Sequence, residues 1–328
     1  REWVERLPRL EPGGRVRHGN VRLGALRSAT GQEGYEEAVR RTVEHIAAGD
    51  IFQANIAHRL SAGFRGSARA MFARLAVAAR PWYGAYIERS LAAEAGMGAE
   101  GRRIIASISP ELFLDFEGAT RRAVTRPIKG TRPAAEDPSG LLGSAKDAAE
   151  LTMIVDLMRN DLGRVAEVGS VRVEELRGIE RHGGTKMGGG VWHGVATVSA
   201  TVREGVGLSG LVRAAFPAGS ITGAPKIRAM QIIESLEPVE RGPYCGSIGY
   251  VSDSGDACLN VAIRTACIVG PAEGGACDAV GDGVLDYSVG AGIVAESDPR
   301  REWEETMHKA GAILGLAGER RQAAGASV

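Results

Sequence analysis

The chain has 328 residues, with 40 basic and 40 acidic side chains and a formal net charge of +0. That balance gives no electrostatic reason for nucleic acid or a charged membrane surface as partner, and no apolar run approaches the ~18 residues of a membrane span. Hydrophobic residues make up 44% and charged residues 24%, a globular composition with length enough to bury a sizeable core.

Glycine is the outlier, with 46 residues in no regular period. It reads as many tight turns plus candidate anion-binding loops. The four cysteines, Cys245, Cys258, Cys267 and Cys277, form no CxxC pair. Mostly buried thiols and a reducing cytoplasm are therefore expected. The first residue is Arg1, not Met, so the chain is expected to be a trimmed piece of a longer protein.

The first 31 residues are basic, glycine-rich and weakly patterned. Tyr35, Val39, Val43 and Ile46 then recur at helical spacing, and Gly49-Asp50 end that helix. A second helix is predicted from Met71 to Arg80, before Pro81. Short strands are predicted at Tyr83–Glu88, Arg103–Ser109, Leu112–Phe116 and Arg121–Thr125. "AKDAAELTMIVDLMRND" (Ala145–Asp161) is a strong helix with Leu151, Ile154, Val155 and Met158 on one face. Val171–Glu175 and Val191–Arg203 read as strands around a glycine-rich loop, Arg181–Gly190. Helices are expected at Gly207–Phe216 and Ala224–Leu236, with Pro225 in a first turn. Strands are expected at Tyr244–Val251, Cys258–Val269 and Leu285–Val294. A last helix starts at Ser297-Asp298-Pro299, with Trp303, Met307, Ala310 and Leu314 as its core stripe, and the chain is expected to fray after Gly318. Strands and helices come in batches, so a mixed α/β or α+β fold is favoured over a Rossmann sheet.

Several stretches carry chemistry. "TRPIKGTRP" (Thr125–Pro133) spaces Arg126, Lys129 and Arg132 three apart in a segment too rich in proline for a helix. Two helices carry acids three apart, Asp147 with Glu150 and Glu302 with Glu305. That spacing sets both carboxylates on one face, which suits Mg²⁺ or, equally, a solvated surface pair. Glu111 lies between apolar runs in "SISPELFL", where burial would raise its pKa and make it a general acid. "GSITGAPK" (Gly219–Lys226) offers hydroxyls and backbone N–H groups to an anion. "VGAGIV" offers Gly290 and Gly292 for close approach. Arg264, inside the predicted strand "LNVAIRTACIV", needs a carboxylate partner or an edge position. His193 follows Trp192 in a strand and reads equally as a structural histidine.

In this order the motifs resemble the chorismate-binding enzymes from about Tyr35 to Leu316. The matching stretches are "GDIFQANIAHRL", "SISPELFL", "TRPIKGTRP", "ELTMIVDLMRNDLGRV", "FPAGSITGAPKIRAM", "CGSIGYV", "NVAIRTA" and "GAGIVAESDPRREWEETMHKA". The resemblance implies two packed β-sheets flanked by helices, with a catalytic domain over 34–318, an N-terminal remnant at 1–33 and a flexible tail at 319–328. It implies Mg²⁺ on Glu150 and Glu305, with Asp147 and Glu302 nearby. It implies that Arg264 and Tyr244, helped by backbone near Gly290 and Gly292, take a carboxylate of chorismate. Thr131 and His193 would line the substrate, and Glu111 would protonate the departing C4 hydroxyl. Gln53 stands where the water-using members place a lysine base, which disfavours water as nucleophile. Lys129 within "PIKGT" matches the aminodeoxychorismate synthase pattern, in which a lysine amine attacks the ring. Arg126 and Arg132 would favour the neutral amine if directed inward. The implied activity is amination of chorismate at C4 for p-aminobenzoate and folate synthesis, with ammonia from a glutamine amidotransferase subunit. Anthranilate synthesis and a non-catalytic chorismate binder are the alternatives.

Overall fold

A computed structural model describes residues 20–91, 101–183, 190–271 and 279–324. Strands β1 (Val21–Leu23) and β2 (Arg27–Ser28) precede helix α1 (Gly31–Ala47), the long strand β3 (Gln53–Ser67) and helix α2 (Ala68–Ala79). Next come β4 (Tyr83–Leu91), β5 (Gly101–Ser109), β6 (Leu112–Glu117), β7 (Arg122–Arg126) and β8 (Ile128–Pro133). Helices α3 (Ser139–Gly143) and α4 (Ala145–Gly163) lead to β9 (Arg172–His182) and β10 (Val191–Thr201). Helix α5 (Leu208–Ala215), a 3-10 turn at Gly219–Ile221, β11 (Gly223–Ala224) and α6 (Lys226–Leu236) follow. The last elements are β12 (Gly249–Val251), β13 (Ala257–Asn260), β14 (Thr265–Pro271), β15 (Ala279–Ile293), α7 (Pro299–Lys309) and α8 (Gly311–Ala324).

The strands make two antiparallel sheets, the α/β two-sheet architecture expected. One runs β1-β3-β15-β14-β5-β4, with β2 and β11 also on β3. The other runs β12-β13-β6-β7-β10-β8, with β9 also on β10. In the first sheet β3 and β15 pair along almost their whole length. Because side chains alternate across a strand, Ala54, Ile56, Ala291 and Ile293 share one face, which packs on Tyr35 and Val39 of α1 and Ile232 of α6. The opposite face carries Gln53, Asn55 and Ala57 against Gly292 and Gly290, and those glycines leave it open. In the second sheet Leu114, Ala123 and Val198 bury the apolar stripe of α4, Leu151, Ile154, Val155 and Met158.

The two helices with the acid pairs have fixed starts. Ser144 Oγ accepts from the Asp147 N–H at the head of α4, and Asp298 caps α7 by accepting from Arg301 N–H, with Pro299 opening the helix.

Several expectations change. The longest continuous stretch of missed structure is β3, a central strand whose first six residues are all buried. Its alternation, Gln53 and Asn55 against Ala54 and Ile56, is short and is interrupted at Ala57 and His58, so the strand is weakly signalled. "TRPIKGTRP" is no loop: Pro127 separates β7 from β8, and both pair with β10. The predicted Cys258–Val269 strand is broken, since β13 ends at Asn260 and Arg264 adopts φ 51° before β14. The predicted Tyr244–Val251 strand shrinks to Gly249–Val251, leaving Tyr244 in a turn. Pro225 immediately precedes α6, and α8 continues past Gly318 to Ala324. Residues 184–189 of the glycine-rich loop, Cys277, and the ends 1–19 and 325–328 lie outside the described residues. Cys245, Cys258 and Cys267 are free thiols, the first buried. Among the described residues no helix is long and apolar enough to cross a membrane.

Strand β8 is held to β10 across a bulge between His193 and Gly194. A Cβ on Gly194 would sit 2.5 Å from the Lys129 carbonyl oxygen. Gly194→Ala should therefore destabilise the fold by about 1–3 kcal/mol, read as a lower urea midpoint. An unchanged midpoint would mean the strands do not approach this closely.

Candidate active site

A cleft of about 660 Å³ is lined by both sheets and by α4 and α7. Its base is the glycine-cleared face of β3 and β15. A Cβ on Gly292 would lie 2.9 Å from Lys129 Nζ and 3.0 Å from Gln53 Nε2, so the amine and the carboxamide converge over one backbone atom. A Cβ on Gly290 would lie 2.9 Å from the Tyr244 hydroxyl. The absence of side chains at both glycines is what makes the room.

Lys129 projects from β8, with Nζ 3.8 Å from Glu150 Oε2. The flanking arginines are matched by carboxylates, Arg126 pairing with Glu180 and Arg132 lying 3.6 Å from Asp147. Of the two, only Arg132 lines the cleft; Arg126 lies on β7, before the break at Pro127, and is taken up by Glu180 of β9.

Glu111 occupies the short link between β5 and β6 and is 4% exposed. Its backbone is fixed at both ends, N–H to Ser109 Oγ at 3.2 Å and carbonyl from Val261 N–H at 3.1 Å. Burial pushes its carboxyl up to about 7, against the opposing pull of the Ser220 hydroxyl and the Lys129 charge. It is therefore a proton donor near neutrality, as the apolar flanks suggested.

Thr131 and His193 face each other across β8 and β10, Oγ1 to Nδ1 at 2.9 Å. Burial and the nearby His182 and Arg264 push His193 down to about 3, so the ring is neutral. The left-handed backbone at Arg264 turns the chain out of the sheet, and its side chain lines the cleft. Burial holds the Tyr244 hydroxyl well above its usual range, protonated and available as a donor beside the Asn55 carboxamide.

Behind these groups lies an ion pair. Arg241 Nε donates to Glu237 Oε2 at 2.8 Å and Nη2 to Oε1 at 2.6 Å. Glu237 also accepts from Ala57 N–H, while Arg241 donates to the carbonyls of Asn55 and Ile221. Its guanidinium lies 5.9 Å over the Tyr244 ring. Strand β3, the 3-10 turn and the Tyr244 turn are thus tied to one fork.

The acid pairs behave differently. Asp147 and Glu150 both line the cleft, joined by Glu304 and Glu305 of α7. Glu302 does not line it; its carboxylate is buried and accepts from Ser297 Oγ at 2.7 Å. Three residues on a helix leave about 60° between side chains, enough to put Glu302 on the packed side of α7. The "GSITGAPK" turn is not an anion cradle, since the N–H groups of Ile221 and Thr222 are spent on Ala218 and Gly219. Lys226 instead pairs with Asp161 at 2.5 Å. Asn55 and Lys309 are among the cleft residues not singled out from sequence, and Ser220 was met only as a hydroxyl of the "GSITGAPK" turn. Lys309 reads as the i+4 partner of Glu305, and it does pair with it at 2.6 Å, but its Nζ also donates to the Gly290 carbonyl.

The chain's residues 4–315 match the family model described as chorismate binding enzyme. The chain belongs to the chorismate-binding enzyme family. It is 40% identical over 290 residues to aminodeoxychorismate synthase component 1 of Escherichia coli strain K12, covering 86% of this chain and 57% of that one. It is 41% identical over 287 residues to anthranilate synthase component 1 of Streptomyces coelicolor, covering 85% of this chain and 50% of that one. A crystal structure of anthranilate synthase component I from Streptococcus pneumoniae TIGR4 superimposes with TM-score 0.70 at 30% identity, over 87% of this chain and 58% of that one. The chain thus spans little more than half the length of these relatives.

The cleft's carboxylates are hard oxygen donors of the kind Mg²⁺ takes. Asp147 Oδ2 is buried without a hydrogen-bond partner, and Arg132 at 3.6 Å is an ion-pair contact only. The residues fit a divalent cation in chemistry. In the present arrangement no three such side chains among the described residues gather into a binding group.

Glu111 also has a thermodynamic signature. Its folded pKa, about 7, lies above the ordinary carboxyl value of 4.5. Below the ordinary value both states are protonated and the group costs nothing. As pH rises toward 7 the unfolded state ionises first, so stability falls, and above 7 the whole cost is present. Glu111→Gln should therefore raise the melting temperature at pH 8 and leave it unchanged at pH 4. Equal shifts at both pH values would contradict the buried acid.

Proposed function

We propose that this protein aminates chorismate at C4 with ammonia, giving 4-amino-4-deoxychorismate. The reading rests on one observation: Lys129 Nζ stands in the cleft over Gly292, beside the Gln53 carboxamide, with Glu111 protonated near neutrality. A chain that added water would want a base at position 53, and a carboxamide is none. The amine of Lys129 attacks ring carbon C2, the ring double bonds shift, and the C4–O bond breaks. Glu111 gives its proton to the departing hydroxyl, which leaves as water. Ammonia then attacks C4, the electrons shift back, and the lysine is expelled from C2. The sum is chorismate plus ammonia to aminodeoxychorismate plus water.

Glu150 and Glu305 would hold Mg²⁺, with Asp147 alongside, and the ion would neutralise the ring carboxylate of the substrate. Arg264 and Tyr244 take a carboxylate as cationic and neutral donors. Neutral His193, fixed by Thr131, offers one ring nitrogen toward the substrate. Ammonia is supplied by a glutamine amidotransferase subunit, and the product serves p-aminobenzoate synthesis in the cytoplasm.

Protein supplied with chorismate, ammonium and Mg²⁺ should yield aminodeoxychorismate by mass, without pyruvate. Anthranilate with pyruvate as main product would replace this reading by the other branch. Lys129→Ala should lose C4 amination by at least ~100-fold, and unchanged turnover would remove the lysine from the chemistry. At constant free ammonia the wild-type pH profile should carry a falling limb at about 7, where Glu111 gives up its proton, that Glu111→Gln lacks. Profiles of the same shape in the two proteins would exclude Glu111 as the acid.

A further inference from the structure

Asn55 is a buried cleft residue whose main chain is fully committed while its side chain is not. Its N–H donates to the Thr222 carbonyl at 2.7 Å, and its own carbonyl accepts from Arg241 at 2.6 Å. Across the ladder it faces Gly292, so nothing on β15 fills the space above it. The residue is 6% exposed, and Nδ2 makes no hydrogen bond of good geometry within the protein, the Tyr244 hydroxyl being the group it approaches. A buried amide left so costs about 1–3 kcal/mol, and native structures keep such groups where a ligand completes them. The carboxamide lies beside the Tyr244 hydroxyl and lines the cleft together with Arg264. Of the cleft's other donors Tyr244 is neutral and Arg264 a guanidinium, while the acids Asp147, Glu150 and Glu305 come from the two helices α4 and α7 and are each met by a cation, Arg132, Lys129 and Lys309. The first group forms a donor pole of the cleft and the helix carboxylates an acidic one.

We infer that Asn55 is a further substrate-binding residue, whose Nδ2 donates to the carboxylate of the chorismate enolpyruvyl side chain. This rests on the chorismate reading given above, in which the ring carboxylate goes to the acidic pole through the cation. The second carboxylate of the substrate then needs the donor pole, where Asn55, Tyr244 and Arg264 provide three donors of different charge. A carboxylate offers about four lone-pair positions, so a third donor is not redundant. Gln53, two residues earlier on the same strand face, also has both amide atoms buried without partners. Its neighbour is Lys129 rather than Tyr244, which assigns it to the reacting end of the ring and leaves the side-chain carboxylate to Asn55.

Chorismate binding to the Mg²⁺-supplemented protein, measured by calorimetry, tests this with two variants. Asn55→Leu keeps the volume and removes the donor, and should weaken binding by about 10- to 100-fold. Asn55→Asp keeps the shape and the contact with Tyr244 but turns an acceptor charge on the carboxylate, and should weaken it further. In turnover the loss should fall mainly on KM, with kcat changed less. In the wild-type protein the Asn55 side-chain amide resonances should shift on adding chorismate, a readout that does not depend on either variant folding. Binding within twofold of wild type in a folded Asn55→Asp, or amide resonances that ignore chorismate, would overturn the inference. Wild-type protein making anthranilate would overturn the amination reading alone, because both reactions hold the same substrate. Wild-type protein that binds no chorismate would remove both.

Discussion

The fork between Glu237 and Arg241 is the contact on which the rest of the cleft depends. Its charges are largely out of water, and a buried pair left with one partner missing is strongly destabilising. Here every strong direction is used: the carboxylate takes the Ala57 N–H as well as the guanidinium, and the guanidinium reaches the carbonyls of Asn55 and Ile221. Those attachment points are the backbones from which Asn55, Ser220 and Tyr244 enter the cleft. The pair touches no candidate catalytic group, yet it sets the relative positions of a strand, a 3-10 turn and a loop that sequence leaves far apart.

The second constraint is subtractive. Gly290 and Gly292 give β15 one bare face, and Gln53, Lys129 and Tyr244 converge on the room so made. Across that space stands an acid whose proton is retained by burial, Glu111, and a histidine kept neutral by burial, His193. Low dielectric thus acts on both in the same sense, toward the uncharged form. Arg264, Lys309 and the carboxylates of Asp147, Glu150 and Glu305 line the more exposed side of the same cleft, and Lys129 reaches from there down to Gly292. The division between neutral depth and charged rim, bridged by that one amine, follows from where each element meets water.

Much of this was legible. The helix carrying Asp147 and Glu150 announces itself by its apolar stripe and its serine cap, and Glu111 by the apolar residues around it. Legibility failed where local pattern and tertiary burial disagree. The alternation of strand β3 is broken at Ala57 and His58, so Gln53 and Asn55 sit in a stretch with a weak strand signature, and Asn55 looks like any polar residue in a loop. Arg264 and Tyr244 were placed in strands because their neighbours are β-branched and apolar, whereas one has a left-handed backbone and the other sits in a turn. Glu302 and Glu305 share a spacing but not an environment, since the edge of a helix face is decided by what packs on it, here Ser297. The two arginines of "TRPIKGTRP" looked like a matched frame for Lys129, but they stand on two strands either side of Pro127, only Arg132 reaches the cleft, and alternation along β8 alone governs where Lys129 points.

That alternation gives β8 a property of a different kind. Pro127 makes β7 and β8 two segments on a single neighbour, β10, whose register runs through both. The side of the sheet on which residue 129 emerges is therefore a matter of parity, counted from that proline and from the His193–Gly194 bulge. Inserting one uncharged residue between Pro127 and Lys129 would keep every existing side chain and the net charge while turning the amine toward the outer face. Along this strand the chain stores information as an even or odd count, and its tolerance to insertion and deletion should be far lower than its tolerance to substitution.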